Sequence, residues 1–351
     1  MSVKEKKPMS KKKKIVLTIV GIFLFLLIIA LIAGVIFYNR MLNNLNRFEN
    51  VPGVVATNPP DATMPSGSDS EATLNPYDFE VMFPGEEPLG GEIINIMLVG
   101  QDTRNPEQRG LSDTMILISV NPANNKMVIT SFLRDTYLDI VCIGGVGTYK
   151  DRLNTAYCTG GIVQLADTLA YNFGVEIDNF VEVDFEAFST IVDALGGIDI
   201  ELTEAEYMHM KHELLLDVQE GMNHLDGEKA LEYARIRKID SDFYRTERQR
   251  TVINEIFKKV KSAGITEILE LTEQFLPLVT TDMSNTDITK YIIQLTPLLK
   301  NLQVETLRIP VDGSWAGKNV GTESAPKYVL ECINNKMNRD VLKKTIGSNQ
   351  E

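Results

Sequence analysis

The chain has 351 residues, 44% of them hydrophobic and 24% charged, enough for one or two domains with a sizeable core. Its net charge is −13; residues 1–14, with seven Lys and one Glu, contribute +6, so the remainder carries −19. That charge excludes binding of nucleic acid or anionic lipid by bulk attraction, and any arginine cluster within it needs a local reason.

The first element is the run Ile15–Tyr38, IVLTIVGIFLFLLIIALIAGVIFY, which contains no charged residue. As a helix it spans roughly 36 Å, enough for a hydrocarbon core of ~30 Å with some tilt. Lys4, Lys6, Lys7 and Lys11 to Lys14 precede it, whereas Arg40 is the only cation close behind. The asymmetry predicts a cytoplasmic tail over 1–14, one transmembrane helix over 15–38, and a membrane location with everything after it outside the cytoplasm. A cleaved signal peptide would have a shorter apolar run and a small-residue cleavage site, which Tyr38-Asn39-Arg40 does not supply. Residues 39 to about 50 read as a polar helical extension, and 51–91, with NPPDATMPSGSDSEATLNP, as a flexible spacer. Together 39–91 make a stalk and linker.

The folded domain is expected over 92–346. Ile93–Val99 is a short apolar run ending at Gly100, as a buried strand does before a loop. Met115–Val120 and Met127–Phe132 are strand-like runs joined by Asn121-Pro-Ala-Asn-Asn-Lys126, a hairpin signal. Helical spacing follows over Gly161–Phe173, then a strand at Phe180–Val183 and a helix over Phe185–Leu195 with Phe185, Phe188, Ile191, Val192 and Leu195 near one face. Gly196-Gly197 stops that helix before a strand at Ile198–Leu202. Helices are predicted over Asp226–Ile236, Thr246–Ala263, Ile265–Leu276 and Asp287–Leu299, the last kinked or cut short by Pro297, with a strand at Thr306–Ile309. Alternating strands and helices argue for an α/β class, layered as a sandwich.

Two carboxylates, Asp102 in VGQDTR and Asp113 in GLSDT, fall where open α/β sheets place ligands, just beyond strand ends. Such a pair suits Mg²⁺ or Mn²⁺ with phosphate oxygens completing the shell, or each Asp simply caps a turn. Arg235 and Arg237 end one helix; Arg245, Arg248 and Gln249 open the next; Arg134 follows a strand. Arg245 and Gln249 are four apart, on one helical face. Guanidinium forks recognise phosphate bidentately and stay charged. The alternative is a solvated face paired with Asp240, Asp242 and Glu247. The three histidines cluster at His209, His212 and His224 without an HExxH pattern, and His209 and His212 read as a surface helix. No GxSxG, Walker or GxGxxG loop is present. Cys142, Cys158 and Cys332 match no zinc spacing. Outside the cytoplasm the first two could close a disulfide, or all three are small buried hydrophobes.

The order VGQDTR, GLSDTMILISVNP, SFLRDTYLDI, RLNTAYCTGG, VDFEAFSTIVDALGGIDIEL and LDGEKALEYARIRKIDSDFYRTERQR resembles the LytR-CpsA-Psr family of cell-envelope phosphotransferases over roughly residues 92–263. The resemblance implies an α/β/α sandwich with a central mixed sheet and a hydrophobic pocket for a polyprenyl chain. It also implies Mg²⁺-dependent transfer of an undecaprenyl-pyrophosphate-linked glycopolymer, teichoic acid or capsular polysaccharide, onto peptidoglycan at a muramyl 6-hydroxyl. Asp102 and Asp113 match the metal-associated acids; Arg134, Arg235, Arg237, Arg245 and Gln249 match the pyrophosphate set, with Arg248 beside them. Asn154 falls in the family's Asn-x-Ala-Tyr motif, as a contact or a structural residue. Leu111 stands where the family often has Arg, a place Arg109 could fill, and Leu133 where it often has Pro. The rival readings are a polyprenyl-pyrophosphate hydrolase and a non-catalytic binder of lipid-linked polymer. Direct DNA binding, suggested by the family's old association with transcription, conflicts with the topology and the −19 charge.

Overall fold

The computed structural model describes residues 46–47, 89–90, 92–101, 112–143, 147–322 and 325–347. The expected anchor at 15–38, most of the linker, and Asp102, Arg109 and Leu111 lie outside these. Among the described residues no helix is long and apolar enough to cross a membrane.

The chain forms β1 (Asn46–Arg47), β2 (Ile94–Gln101), β3 (Ser112–Asn121), β4 (Lys126–Phe132), β5 (Thr136–Val141), β6 (Thr148–Arg152) and α1 (Leu153–Phe173). Next come β7 (Asn179–Asp184), α2 (Phe185–Ala194), β8 (Ile198–Leu202), α3 (Glu204–Met208), a π turn (His209–Glu213), β9 (Gly221–Leu225), α4 (Gly227–Arg235) and α5 (Asp242–Ser262). The last part comprises α6 (Ile265–Phe275), β10 (Thr280–Thr281), α7 (Asn285–Leu295), β11 (Gln303–Ile309), β12 (Trp315–Thr322), β13 (Ala325–Cys332) and α8 (Asn335–Gly347).

Seven strands make a mixed sheet in the order β1-β10-β7-β2-β3-β4-β11. Successive side chains point to opposite faces. Met97, Val99, Met115, Leu117 and Val128 pack with α1 and α8 on one face. Ile94, Ile116, Val120, Met127 and Ile129 lie on the other, under Ile253 and Phe257 of α5 and Tyr291 and Leu295 of α7. Both faces are therefore covered, which is why β2, β3 and β4 read as near-continuous apolar runs rather than as alternation. The expected β3–β4 hairpin forms, with Val120 opposite Met127 and Asn121 opposite Lys126. Asn125 closes it at φ 52°, a left-handed conformation that asparagine tolerates. Among the described residues the other sheets are a four-stranded one, β12-β13-β5-β6, and the β8–β9 pair.

Several expectations change. Asn46 and Arg47, placed by sequence in a helical extension, form a strand beside β10. The helix expected from Gly161 begins eight residues earlier; Gly161, at φ 67°, interrupts it, which hides the first two turns from a periodicity reading. His209 is buried rather than on a surface, at 6% exposure. Cys142, Cys158 and Cys332 are thiols, and no disulfide joins Cys142 to Cys158. Cys142 packs in the main core, where burial pushes its thiol above the ordinary value. The helix before Pro297 ends at Leu295.

The start of α4 is set against α2 by one glycine. A Cβ on Gly227 would lie 2.1 Å from the Ser189 carbonyl oxygen, and the Gly227 N–H donates to Asp193 Oδ1 at 2.7 Å. Gly227→Ala should therefore force α2 and α4 apart at a cost of about 1–3 kcal/mol, lowering Tm by several degrees. An unchanged Tm would show that this contact does not fix the helix pair.

Candidate functional site

A cavity of about 460 Å³ lies between the sheet and the layer formed by α2, α4 and α5. Leu98, Ile116, Ile118 and Met127 form its floor, Phe185, Phe188 and Ile191 of α2 one wall, and Ile253, Ile256, Phe257 and Val260 of α5 another. Protein cores are ordinarily filled, so an apolar volume of this size is a place for an apolar ligand. Three of the α2 residues expected on one face line the cavity, while Val192 turns into the neighbouring core with β8 and β9.

Asp113, Arg235, Arg237, Arg245 and Gln249 also line the cavity and make part of its lining charged. Topology brings them together. β3 runs antiparallel to β4, so Asp113 near the start of β3 sits beside Arg134, two residues past the end of β4. The α4–α5 connection supplies Arg237, and the first two turns of α5 supply Arg245 and Gln249. Asp113 Oδ1 lies 2.7 Å from Arg134 Nη1, 3.0 Å from Arg237 Nη2 and 3.9 Å from Arg245 Nη1. The Asp113 carbonyl accepts from Arg245 Nη2 at 3.3 Å. Arg235 is half-exposed, with its guanidinium 4.6 Å above the Phe185 ring and 3.0 Å from Glu232.

Two further acids hold the cluster. Asp242 Oδ1 is 2.7 Å from Arg245 Nη2 and 3.6 Å from Arg134 Nε, and Asp135 bridges Arg134 at 3.4 Å and Arg152 at 3.2 Å. Burial alone would weaken the Arg134 charge, but Asp242, Asp135 and Asp113 outweigh it and raise its pKa. The same burial pushes the Asp242 carboxyl up to about 6, despite the opposing pull of Arg134. Arg245 is 2% exposed, yet its Nε and Nη1 have no hydrogen-bond acceptor among the described residues. Buried donors without acceptors are costly, so an anion that reaches them is held strongly.

Arg248 does not join this set. It is buried with Nε on Glu206 at 2.7 Å, Nη1 on the Ile236 carbonyl at 2.9 Å and Nη2 on Asp240. All three nitrogens are engaged, so it is a tie for the connection that carries Arg237 rather than a phosphate ligand. The sequence pairing of this region with Asp240 and Asp242 holds, but the pairs are buried, not solvated. The Asn154 backbone N–H donates to the Arg134 carbonyl at 3.2 Å, tying the start of α1 to the segment that carries Arg134. Asp135, Arg152 and Glu206 were not legible as site residues; DT following Arg134 was the available signal for Asp135. For a metal, Asp113 offers a hard oxygen beside the guanidinium cluster. That suits an ion such as Mg²⁺, which takes one or two carboxylates and phosphate oxygens. Among the described residues no group of three or more His, Cys, Asp or Glu could hold a metal alone.

The raised Asp242 pKa has a defined sign. The native state keeps this proton more tightly than the unfolded chain, so stability falls as pH rises from the ordinary carboxyl range through about 6. Asp242→Asn removes the effect. Its unfolding free energy relative to the parent should increase between about pH 4.5 and about pH 7.5, measured by denaturant titration. A constant difference across that range would contradict a costly buried charge.

Known proteins resemble this chain in sequence and in fold. The polyisoprenyl-teichoic acid–peptidoglycan teichoic acid transferase TagU of Bacillus anthracis is 33% identical over 256 residues, covering 72% of this chain and 80% of TagU. The solved structure of TagT bound to LI-WTA superposes with a TM-score of 0.58 at 26% identity, covering 76% of this chain and 96% of that one. TagV of B. subtilis gives 0.59 at 25% identity, covering 75% and 100%. The model of the LytR_cpsA_psr family matches residues 66–338. The chain belongs to the LytR-CpsA-Psr family.

Proposed function

We propose that this protein transfers a glycopolymer from a polyisoprenyl pyrophosphate carrier to peptidoglycan, forming a phosphodiester at a muramyl 6-hydroxyl. Teichoic acid is the polymer named for its TagU relative, and capsular polysaccharide is the alternative cargo. One observation carries the reading: an apolar cavity whose lining includes Arg235 and, around Asp113, Arg237 and Arg245. A lipid tail and an anionic head are the two halves of such a carrier.

In this reading the cavity holds the polyisoprenyl chain, and Arg134, Arg237 and Arg245 hold the pyrophosphate, with Arg235 and Gln249 beside it. The acceptor hydroxyl oxygen attacks the phosphorus that bears the polymer. The bond from that phosphorus to the bridging oxygen breaks, polyisoprenyl phosphate leaves, and the hydroxyl proton passes to solvent. Negative charge grows on the bridging oxygen, so fixed guanidinium donors stabilise the transition state more than the ground state. Asp113 and Asp102 would hold Mg²⁺, or Mn²⁺ in its place, which neutralises charge on the pyrophosphate. Residues 15–38 would anchor the chain in the cell membrane, with the N-terminus cytoplasmic and the catalytic domain outside, within reach of both carrier and wall.

The test uses the full chain in detergent with lipid-linked polymer, peptidoglycan and Mg²⁺. A polymer–peptidoglycan phosphodiester should form, with release of polyisoprenyl phosphate, and chelation should stop it. Arg237→Lys, which loses the planar fork, should slow transfer by roughly tenfold or more. Release of polymer phosphate without wall attachment would establish a hydrolase, and tight binding without any covalent change would establish a carrier-binding protein.

A further inference from the structure

A second group of aromatic and cationic side chains adjoins the arginine site outside the cavity. β11 runs parallel to β4, Ile309 pairs with Phe132, and the Leu133 N–H donates to the Ile309 carbonyl at 2.9 Å. The end of β11 thus lies beside the segment that carries Arg134. Arg308, one residue before that end, places its guanidinium 4.5 Å over the ring of Phe243. Phe243 in turn packs on Trp315, ring centroids 5.3 Å apart with planes 32° apart. Phe243 directly follows Asp242, the acid that pairs with Arg134 and Arg245. The platform and the pyrophosphate clamp therefore share the first turn of α5, yet Phe243, Arg308 and Trp315 do not line the cavity.

The platform also carries unmet hydrogen-bond donors. Trp315 Nε1 and Arg250 Nη1 are both buried, and neither has an acceptor among the described residues. Burial chiefly, together with the like charge of Arg308 and against the opposing charge of Glu247, pulls Arg250 below its ordinary pKa. Arg308 pairs with Asp312, whose side chain is 88% exposed and free to give way. Arg250 Nη1 and the indole N–H offer donors to oxygen acceptors beside stacked rings, and Arg308 can exchange its exposed Asp312 partner for another, which suits a ligand with flat, weakly polar faces.

Pyranose rings in a peptide-bearing amino-sugar strand have that character: their C–H faces pack on aromatic rings, and their acetamido carbonyls and peptide carboxylates accept from Arg and Trp. The direction of attack adds a second argument. The leaving phosphate draws its lipid into the cavity, so an in-line acceptor has to enter from outside it. We propose that Phe243, Trp315, Arg250 and Arg308 form the subsite that binds the peptidoglycan acceptor strand and sets its hydroxyl beside the pyrophosphate. This assignment rests on the transfer reading above and names the residues that recognise its acceptor.

Trp315 is the only tryptophan of the chain, so its emission reports on this subsite alone. The full-length protein in detergent is titrated with soluble glycan-strand fragments that keep their stem peptides, without carrier lipid. A saturable change in emission is expected. Arg308→Gln, checked for an unchanged Tm, should weaken that binding and raise the acceptor KM by roughly tenfold or more, leaving the carrier KM within about twofold. Arg250→Gln should act in the same direction, and Trp315→Phe, which keeps a ring but loses the Nε1 donor, should also raise the acceptor KM. If polymer is transferred while emission is silent and Arg308→Gln leaves the acceptor KM unchanged, the subsite is wrong and the transfer reading stands. If fragments bind with the predicted Arg308 dependence but no covalent product ever forms, the subsite stands and the transfer reading falls.

Discussion

The site depends on one carboxylate oxygen shared among guanidiniums. Asp113 Oδ1 is within hydrogen-bond distance of Arg134 and Arg237, with Arg245 just beyond. Like charges about 4 Å apart repel by roughly 4 kcal/mol each at an effective dielectric near 20, so such a cluster cannot form without acids inside it. Asp113 and Asp242 supply them from different elements, β3 and α5. A pyrophosphate would meet guanidiniums already positioned, with buried donors on Arg245 still lacking acceptors. Preorganisation of this kind avoids ordering long side chains when the ligand binds.

The remaining architecture follows from keeping that cluster in place beside an unfilled volume. One face of the main sheet is packed in the ordinary way by α1 and α8. On the other face, α2 and α5 stand over Leu98, Ile116 and Met127 with space left between. A void lined by Phe, Ile and Leu side chains forfeits dispersion contacts that an apolar occupant restores. Arg248 makes the opposite contribution. By fastening Glu206, Ile236 and Asp240 around one guanidinium it fixes the connection on which Arg237 sits.

Much of this was legible in the sequence, and the exceptions have physical causes. The β3–β4 hairpin showed because its turn is Asn-rich between two apolar runs, and the end of α7 showed because Pro297 follows. Asp113, Arg134, Arg237 and Arg245 were recognisable from their motifs, and the adjoining ends of β3 and β4 with the start of α5 bring them together. Arg248 was misassigned because an arginine near a helix start looks the same in sequence whether it meets a ligand or a buried acid. Its partner Glu206 lies on another helix, far earlier in the chain, and no local pattern links the two. The first two turns of α1 were missed because Gly160-Gly161 breaks the pattern, and β5 and β6 because polar residues such as Asp139 and Lys150 interrupt their apolar positions. Of the two readings left open for the cysteines, the structure keeps thiols and turns Cys142 into the core, which neither compartment nor sequence separation reports.

The central claim is that the arginine cluster and the apolar cavity act as one receptor for a lipid-linked pyrophosphate. Calorimetric titration of the full-length protein in detergent with a prenyl pyrophosphate, inorganic pyrophosphate and the matching prenyl alcohol tests it most directly. The account predicts that the prenyl pyrophosphate binds far more tightly than either half, and that its affinity rises as the prenyl chain is lengthened. Equal affinity for inorganic and prenyl pyrophosphate would contradict it, because the cavity would then contribute nothing to recognition.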